Sequence, residues 1–275
     1  MKQDGTTLVI GGTGKTGRRV VERLQRLGLP NRIGSRSAQP AFDWEDRRTW
    51  SQALVGVERA YVTFYPDICM PGGLEKVESF FRLAVDAGVK KLVFLSGRGE
   101  TEAEQAEQAL KKSSADWTIL RCSFFCQNFS ESFFLEPILG GEVALPVPPV
   151  GEPFVDAEDI ADVAVAALTQ SGHSGKLYEL TGPRALTFAE AIAEIAQATG
   201  RKIQFQAVTP EQYRSALTEA QVPAEVIDLI LYLFGTVLDG RNTPVVEGVH
   251  QALGRPPHDF RDYAQRTAAT GVWSN

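Results

Sequence analysis

The 275-residue chain is short of the residues from which metal and disulfide sites are built, with three cysteines and three histidines. Cys69, Cys122 and Cys126 form no C-x-x-C pair, and His173, His250 and His258 are widely spaced. The spacing therefore predicts no metal site and no disulfide framework. A reducing, cytoplasmic setting is expected, and no signal-peptide pattern precedes the first apolar run. No apolar stretch approaches the roughly 20 residues of a membrane span, so no membrane partner is expected. Basic charge is also scarce. The net charge is −6, which argues against nucleic acid as a partner, because phosphate binding needs a basic face. Internal repeats and low-complexity tracts are absent.

What is present begins at Thr7. The run Leu8-Val9-Ile10 reads as a buried parallel strand. Gly11, Gly12, Gly14 and Gly17 follow, and then a helical pattern with Val20, Val21, Leu24 and Leu27 on one face. Strand, glycine turn, helix is the order a dinucleotide fingerprint requires. The first glycine permits a tight turn, Gly14 lets the backbone approach a pyrophosphate, and Gly17 lets the helix pack close to the strand. The N–H groups of Thr13, Lys15 and Thr16 at the helix start would then face phosphate, with the helix dipole favouring its charge. Gly14-Lys15-Thr16 imitates the end of a P-loop, but that motif needs a glycine where Val9 stands.

A second absence selects the nucleotide. An NAD site usually carries an acid about twenty residues on, at the end of the second strand. The stretch Leu29–Ser37 contains no acid, and Arg36 stands there between Ser35 and Ser37. A guanidinium fork with hydroxyl neighbours suits a 2′-phosphate, so NADPH is the expected cofactor, with Arg36 preferred over Arg32.

Strand and helix signals alternate through the first two-thirds of the chain. Phe42-Asp43-Trp44 reads as a short third strand, Thr49–Val55 as a helix, and Arg59–Tyr65 as a strand stopped by Pro66. Gly73–Ala87 has helical spacing, Lys90–Ser96 is the next strand, Glu100–Lys112 a polar helix with one solvated side, and Asp116–Arg121 another strand. Asp156–Leu168 is an alanine-rich helix, with Asp156 and Asp159 read as caps or dipole partners. Lys176–Leu180 is a strand. From Thr187 the chain is mainly helical, with a strand at Lys202–Gln206. The alternation predicts an α/β fold, a doubly wound parallel Rossmann sheet with a smaller, mainly helical C-terminal substrate lobe. The expected boundaries are 1–125 plus 151–182 for the nucleotide domain and 126–150 plus 183–275 for the lobe.

Six segments carry a resemblance: Gly11–Gly17, Ser35–Ser37, Phe42–Trp44, Asp116–Arg121, Phe154–Ala164 and Tyr178–Pro183, extended into the tail by Gly254–Pro257 and Asp259–Tyr263. With these the chain resembles the NmrA-like atypical short-chain dehydrogenases, nearest the ergot-alkaloid-type reductases. The resemblance implies NADPH and hydride transfer to a quinone, imine, iminium or similar acceptor, and it admits members that bind the nucleotide without turning it over. It also places Asp43 and Trp44 near the adenine.

The chain departs from the wider dehydrogenase pattern in one respect. None of its six tyrosines has lysine four residues on, so the Tyr-x-x-x-Lys proton donor is missing. A ketone reductase needs an acid to protonate the developing alkoxide, whereas an iminium acceptor does not. The expected function is therefore NADPH-dependent reduction of a small imine or iminium acceptor, with quinone-like acceptors also admitted. The alternative is a non-catalytic NADP(H) sensor. A sugar-nucleotide epimerase is disfavoured, because it too would want the dyad. Strand-end position makes Phe64 and Tyr65 neighbours of the nicotinamide ribose, Tyr65 and Ser96 the candidate catalytic hydroxyls, with Ser96 also a ribose contact, and Tyr65, Phe124, Phe125 and Asn128 the acceptor pocket. The apolar stretch Val226–Phe234 is expected to be a lid helix or a homodimer face.

Overall fold

The computed structural model describes residues 5–274. In chain order its first elements are β1 (Thr6–Ile10), α1 (Lys15–Arg26), β2 (Asn31–Gly34), α2 (Trp50–Leu54), β3 (Val57–Val62), α3 (Gly73–Asp86), β4 (Lys91–Gly97), α4 (Thr101–Lys111) and β5 (Asp116–Cys122). Then come α5 (Leu135–Gly140), β6 (Glu142–Leu145), α6 (Ala157–Thr169), β7 (Lys176–Leu180), α7 (Phe188–Thr199) and β8 (Gln204–Ala207). The chain closes with α8 (Pro210–Glu219), α9 (Ala224–Tyr232), α10 (Gly248–Leu253) and α11 (Phe260–Ala269). Among the described residues no helix is long and apolar enough to cross a membrane.

The chain divides into two compact units. The first holds residues 1–122, 157–180 and 248–255. Its six strands are all parallel, in the order β2-β1-β3-β4-β5-β7. Such a sheet is buried on both faces, which is why its strands read as near-continuous apolar runs. Side chains alternate between the faces. Leu8, Ile10, Ala60, Val62, Leu92 and Phe94 enter one core with Phe80 and Phe81 of α3 and Ala103, Ala106 and Leu110 of α4. Val9, Tyr61 and Val93 fall on the other face and are equally buried. There the Tyr61 hydroxyl donates to Thr16 Oγ1 of α1 at 2.9 Å. Helix α1 packs against α6, and the contact is charged. Arg19 pairs with Glu158 at 2.6 Å, and Arg23 with Glu158 and Asp162 at 2.7 and 2.6 Å.

Two expectations need correction here. Phe42-Asp43-Trp44 is not a third strand, since Asp43 makes only an isolated bridge to Asp46. Phe42 and Trp44 are drawn instead into an aromatic cluster with Trp50 and Phe80, with centroids 5.0–6.2 Å apart. Strand β2 is therefore left as the sheet edge. The segment Gly248–Arg255, expected in the lobe, belongs to the first unit. A Cβ on Gly248 would overlap the Glu179 carbonyl, so only glycine lets α10 approach β7 this closely. Arg255 then pairs with the fully buried Asp159 at 2.7 Å, which makes Asp159 an ion-pair partner.

The second unit holds residues 123–156, 181–247 and 256–275. Among the described residues it contains five α-helices and the parallel pair β6–β8, of which β6 was not anticipated. Phe129, Phe134, Phe154, Phe188, Phe234 and Phe260 form its core. The Trp273 indole donates to the Phe129 carbonyl at 2.8 Å. Helix α7 starts with a capping box between Thr187 and Glu190, worth about 1 kcal/mol.

Candidate nucleotide site

The glycine turn lies where the strand order reverses, between β1 and β3, the place at which doubly wound sheets bind ligands. Gly11 ends β1 with φ +66°, a left-handed backbone. A Cβ on it would also meet Thr63 Cγ2 at 2.7 Å, just past the end of β3. Gly12 packs so that a Cβ would come 2.9 Å from the Val9 carbonyl and 3.0 Å from Ile33. A Cβ on Gly17 would overlap the Gly11 carbonyl, so helix α1 sits directly on the turn.

Helix α1 begins at Lys15 with Gly14 as its cap residue. It has no side-chain cap bond and no acid in its first turn. Thr13 and Gly14 are exposed. This is an anion-ready helix start, with a positive dipole end and a backbone open to approach. Thr16 is buried and its hydroxyl accepts from Tyr61, which leaves its backbone, not its side chain, for a phosphate. A Cβ at Gly14 would stand 3.2 Å from the Gly11 carbonyl and project into the turn. The cradle thus fits a pyrophosphate as the glycine spacing predicts.

Ile10 of β1 pairs with Gly34 of β2 in parallel register, so Ser35–Ser37 leave the sheet at the same edge as the glycine turn. Arg36 is exposed and has no partner among the described residues. The hydroxyls of Ser35 and Ser37 are 3.3 Å apart beside it. Arg32, in contrast, donates to the Ala53 and Val55 carbonyls at 2.6 and 2.8 Å. The structure therefore separates the two arginines: one is committed to backbone, the other is open.

The remaining sequence-expected residues are less uniform. Asp43 accepts the Glu45 N–H at 3.0 Å, and its carbonyl accepts the Trp50 indole at 2.7 Å, so it closes a turn. Phe64 is half-buried against Trp44, with centroids 4.9 Å apart. Tyr65 is 74% exposed. Ser96 is buried, and its hydroxyl donates to Glu107 Oε1 at 2.7 Å. That contact turns Ser96 toward helix α4. Phe124, Phe125 and Asn128 belong to the second unit. There Phe124 is half-buried and meets Phe188 edge-on and Phe234 in a stack, at 6.0 and 6.3 Å. The Asn128 N–H donates to the Phe125 carbonyl at 3.0 Å.

Sequence reasoning missed two clusters in the first unit. Glu107 is fully buried on α4 and accepts Arg121 Nε at 2.8 Å, with a second contact from Nη2 at 2.5 Å. Arg121 also donates to Glu179 at 2.9 Å, and its pKa is raised, chiefly by the bond to Glu107. The second cluster gathers Asp67, Cys69 and Glu100, whose ligand-type atoms lie within 4.8 Å of one another. It contains no histidine. The Cys69 thiol donates to Glu100 at 3.7 Å. Burial, followed by the nearby Asp67 charge, pushes Glu100 up to about 8. Burial, then Glu100, also raises Cys69, which stays a thiol. Neither cluster has a motif. Each is assembled from separate loops or elements by the sheet.

No family model matches the chain. Over nearly its whole length, however, it is 31% identical to an NAD(P)H azoreductase of Xenophilus azovorans, covering 95% of this chain and 98% of that one. The chain belongs to the NmrA-like atypical short-chain dehydrogenases, a family of NAD(P)H-dependent reductases. It is also 28% identical to agroclavine dehydrogenase of Claviceps fusiformis, over 94% of this chain and 96% of that one. In fold it is similar to an NADPH-dependent quinone oxidoreductase of Escherichia coli solved with NADPH. That match has a TM-score of 0.79 and 19% identity and covers 94% of this chain and 99% of that one.

Proposed function

We propose that this protein is an NADPH-dependent reductase of a small, flat imine or iminium compound, with quinone-like acceptors as the neighbouring class. The observation that carries the cofactor reading is the glycine cradle beside the exposed Arg36, which has no partner among the described residues, with no acid at the end of β2. Gly11, Gly12, Gly14 and Gly17 would admit the pyrophosphate, the N–H groups of Thr13, Lys15 and Thr16 would donate to it, and Arg36 with Ser35 and Ser37 would hold the 2′-phosphate. Asp43 and Phe64 would border the adenine side and the nicotinamide ribose. When bound, NADPH supplies the hydride.

The acceptor reading rests on the absent dyad and on the two candidate hydroxyls. Ser96 is committed to Glu107, so the proposal gives any proton-donor role to the exposed Tyr65. An iminium acceptor needs no such donor, and an imine can be protonated before reduction. One relative's name leans the same way: an azoreductase acts on an azo group, an N=N double bond rather than a carbonyl. Phe124, Phe125 and Asn128 are the proposed acceptor contacts, an aromatic wall suited to a flat cation.

The test is NADPH oxidation by the purified protein against 2-methyl-1-pyrroline, an N-methyl-dihydroisoquinolinium salt, menadione and cyclohexanone. Turnover of the C=N compounds without the ketone supports the proposal. Turnover of cyclohexanone at a comparable rate overturns the acceptor reading. Tight NADPH binding with no turnover of any acceptor favours an NADP(H) sensor instead.

A further inference from the structure

The second unit contains an arm whose construction differs from the rest. Thr209 caps α8 with a capping box to Gln212, and Pro210 occupies the first turn, so the helix is well formed locally. Yet none of its residues is fully buried. The chain turns back through Gln221, in a left-handed conformation with φ +59°, into α9. An ion pair between Arg214 and Asp228, 2.8 Å apart and about half exposed, ties the two helices together. A shallow surface groove of about 540 Å³ runs along α8, with Arg214, Thr218 and Leu231 in its walls, and the hairpin touches the core through Tyr213 and Ile230.

Helix α9 is strongly apolar, from Val226 to Leu233, but only Ile227 of its Ala224–Tyr232 span is buried. Val226, Leu229, Ile230 and Leu231 are half-buried. The helix then runs without a break into a π-helical turn, Leu233–Val237, closed by the Leu238 N–H donating to the Leu233 carbonyl at 3.1 Å. The π turn is the last turn of that helix, since Leu238 follows it outside any helix. It marks a change in packing. Within it Phe234 and Val237, and just past it Leu238, are 1–3% exposed and anchored in the core. On its N-terminal side stands the less buried hairpin. Phe234 itself stacks on Phe124 at 6.3 Å and meets Tyr213 of α8 edge-on at 6.2 Å. One ring therefore links the arm, the hinge and the proposed acceptor wall.

We infer that residues 209–232 form a lid that pivots on the π turn 233–237 and lays the apolar face of α9 over a flat acceptor held at Phe124. The occupant is the acceptor itself, so the inference rests on the reductase reading. Local opening of a segment with few buried contacts is the expected low-energy motion of such a fold. Gly235 offers a handle. It lies inside the π turn, and a Cβ there meets nothing within 4 Å. Gly235→Ala is therefore sterically free and favours regular helix over the irregular turn by about fivefold.

Hydrogen exchange followed by mass spectrometry tests the lid, whatever the protein reduces. In the full-length protein, amides of 210–232 should exchange at least tenfold faster than those of α7 and α11. Saturating N-methyl-dihydroisoquinolinium with NADPH should slow them, and Gly235→Ala should slow them without any ligand. The same variant should shift KM for the acceptor several-fold and leave the NADPH dissociation constant within twofold. Exchange of 210–232 as slow as that of α7 overturns the inference, as does no protection by a panel compound that the protein is found to reduce. Protection that grows with protein concentration also overturns it, because the α9 face would then be covered by a second copy. Failure of the acceptor panel leaves the apo exchange and the Gly235→Ala result standing, so the two readings fail separately.

Discussion

A Cβ on Gly17 would overlap the carbonyl oxygen of Gly11. The obstacle is backbone on both sides, in a turn that is itself pinned where the Gly11 N–H donates to the Gly34 carbonyl at 2.9 Å. No rotamer change relieves it, so Gly17→Ala must push α1 off the end of β1. Overpacking of this kind costs roughly 1–3 kcal/mol, and the shifted helix start would no longer face a phosphate. The expected result is a lower urea midpoint together with loss of NADPH binding. Gly140→Ala is the control. Nothing lies within 4 Å of its Cβ position, and its midpoint should stay level or rise. A Gly17→Ala protein with the parent's stability and NADPH affinity would contradict the cradle geometry.

Arg36 and Arg32 are four residues apart and have different tasks. Arg36→Ala should weaken NADPH binding by about 1–3 kcal/mol, the size of a lost charge-assisted contact, and leave NADH nearly unchanged. Arg32→Ala should do the reverse. It removes donors from the Ala53 and Val55 carbonyls and so lowers stability, with no change in the NADPH/NADH ratio. Titration of both variants with both cofactors, by fluorescence or calorimetry, decides the matter. Equal loss of the two cofactors in Arg36→Ala removes Arg36 from the 2′-phosphate.

The contact between Ser96 and Glu107 yields a prediction about what Ser96 does not do. Glu107 is fully buried and neutralised by Arg121. Truncating it leaves Arg121 with Glu179, 2.9 Å away, as its remaining carboxylate partner, at a cost of about 1.5–3 kcal/mol for each lost charged hydrogen bond. Ser96→Ala removes one hydrogen bond to a charged acceptor, about 1.5–3 kcal/mol. Both variants should therefore show themselves first in urea midpoints. At a temperature where it is folded, Ser96→Ala should keep kcat within about threefold of the parent, since a positioned acid would contribute roughly a hundredfold or more. A hundredfold loss of kcat at full stability would restore Ser96 as the donor.

How much of this was legible in the sequence depends on how local the cause is. The glycine turn was, because Gly14 and Gly17 answer to backbone atoms within six residues of themselves and Gly11 to its own left-handed backbone. The strands from Arg59 to Leu180 were, because parallel strands buried on both faces leave unbroken apolar runs. Phe42–Trp44 misled, since alternate aromatics fit an edge strand and a loop folded into a core equally well. Glu107 was invisible. It stands in a polar, alanine-rich helix that reads as a solvated face, and only the Arg121 side chain across the sheet explains its burial. Gly248 was unreadable for the same reason, as its need for glycine is set by Glu179, far off in sequence. Arg36 was singled out through a missing acid, but only the structure shows that Arg32 is otherwise engaged.

Glu100 links pH to stability. Burial, and then Asp67, raise its carboxyl from an ordinary 4.5 to about 8, so at neutral pH the folded protein holds a proton there. The unfolded chain releases that proton above about pH 4.5. Across the window from about 4.5 to about 8, the unfolded state therefore binds fewer protons, and stability falls as the pH rises. Below the window the side chain carries no penalty, and above it the penalty is complete. Glu100→Gln keeps a neutral polar group as acceptor for the Cys69 thiol and has no proton to lose. Its melting temperature relative to the parent should climb between pH 5 and 8 and then level off. A gap that stays constant over that range would mean that Glu100 is ionised in the folded protein, and that Asp67 and Cys69 do not crowd it as the geometry indicates.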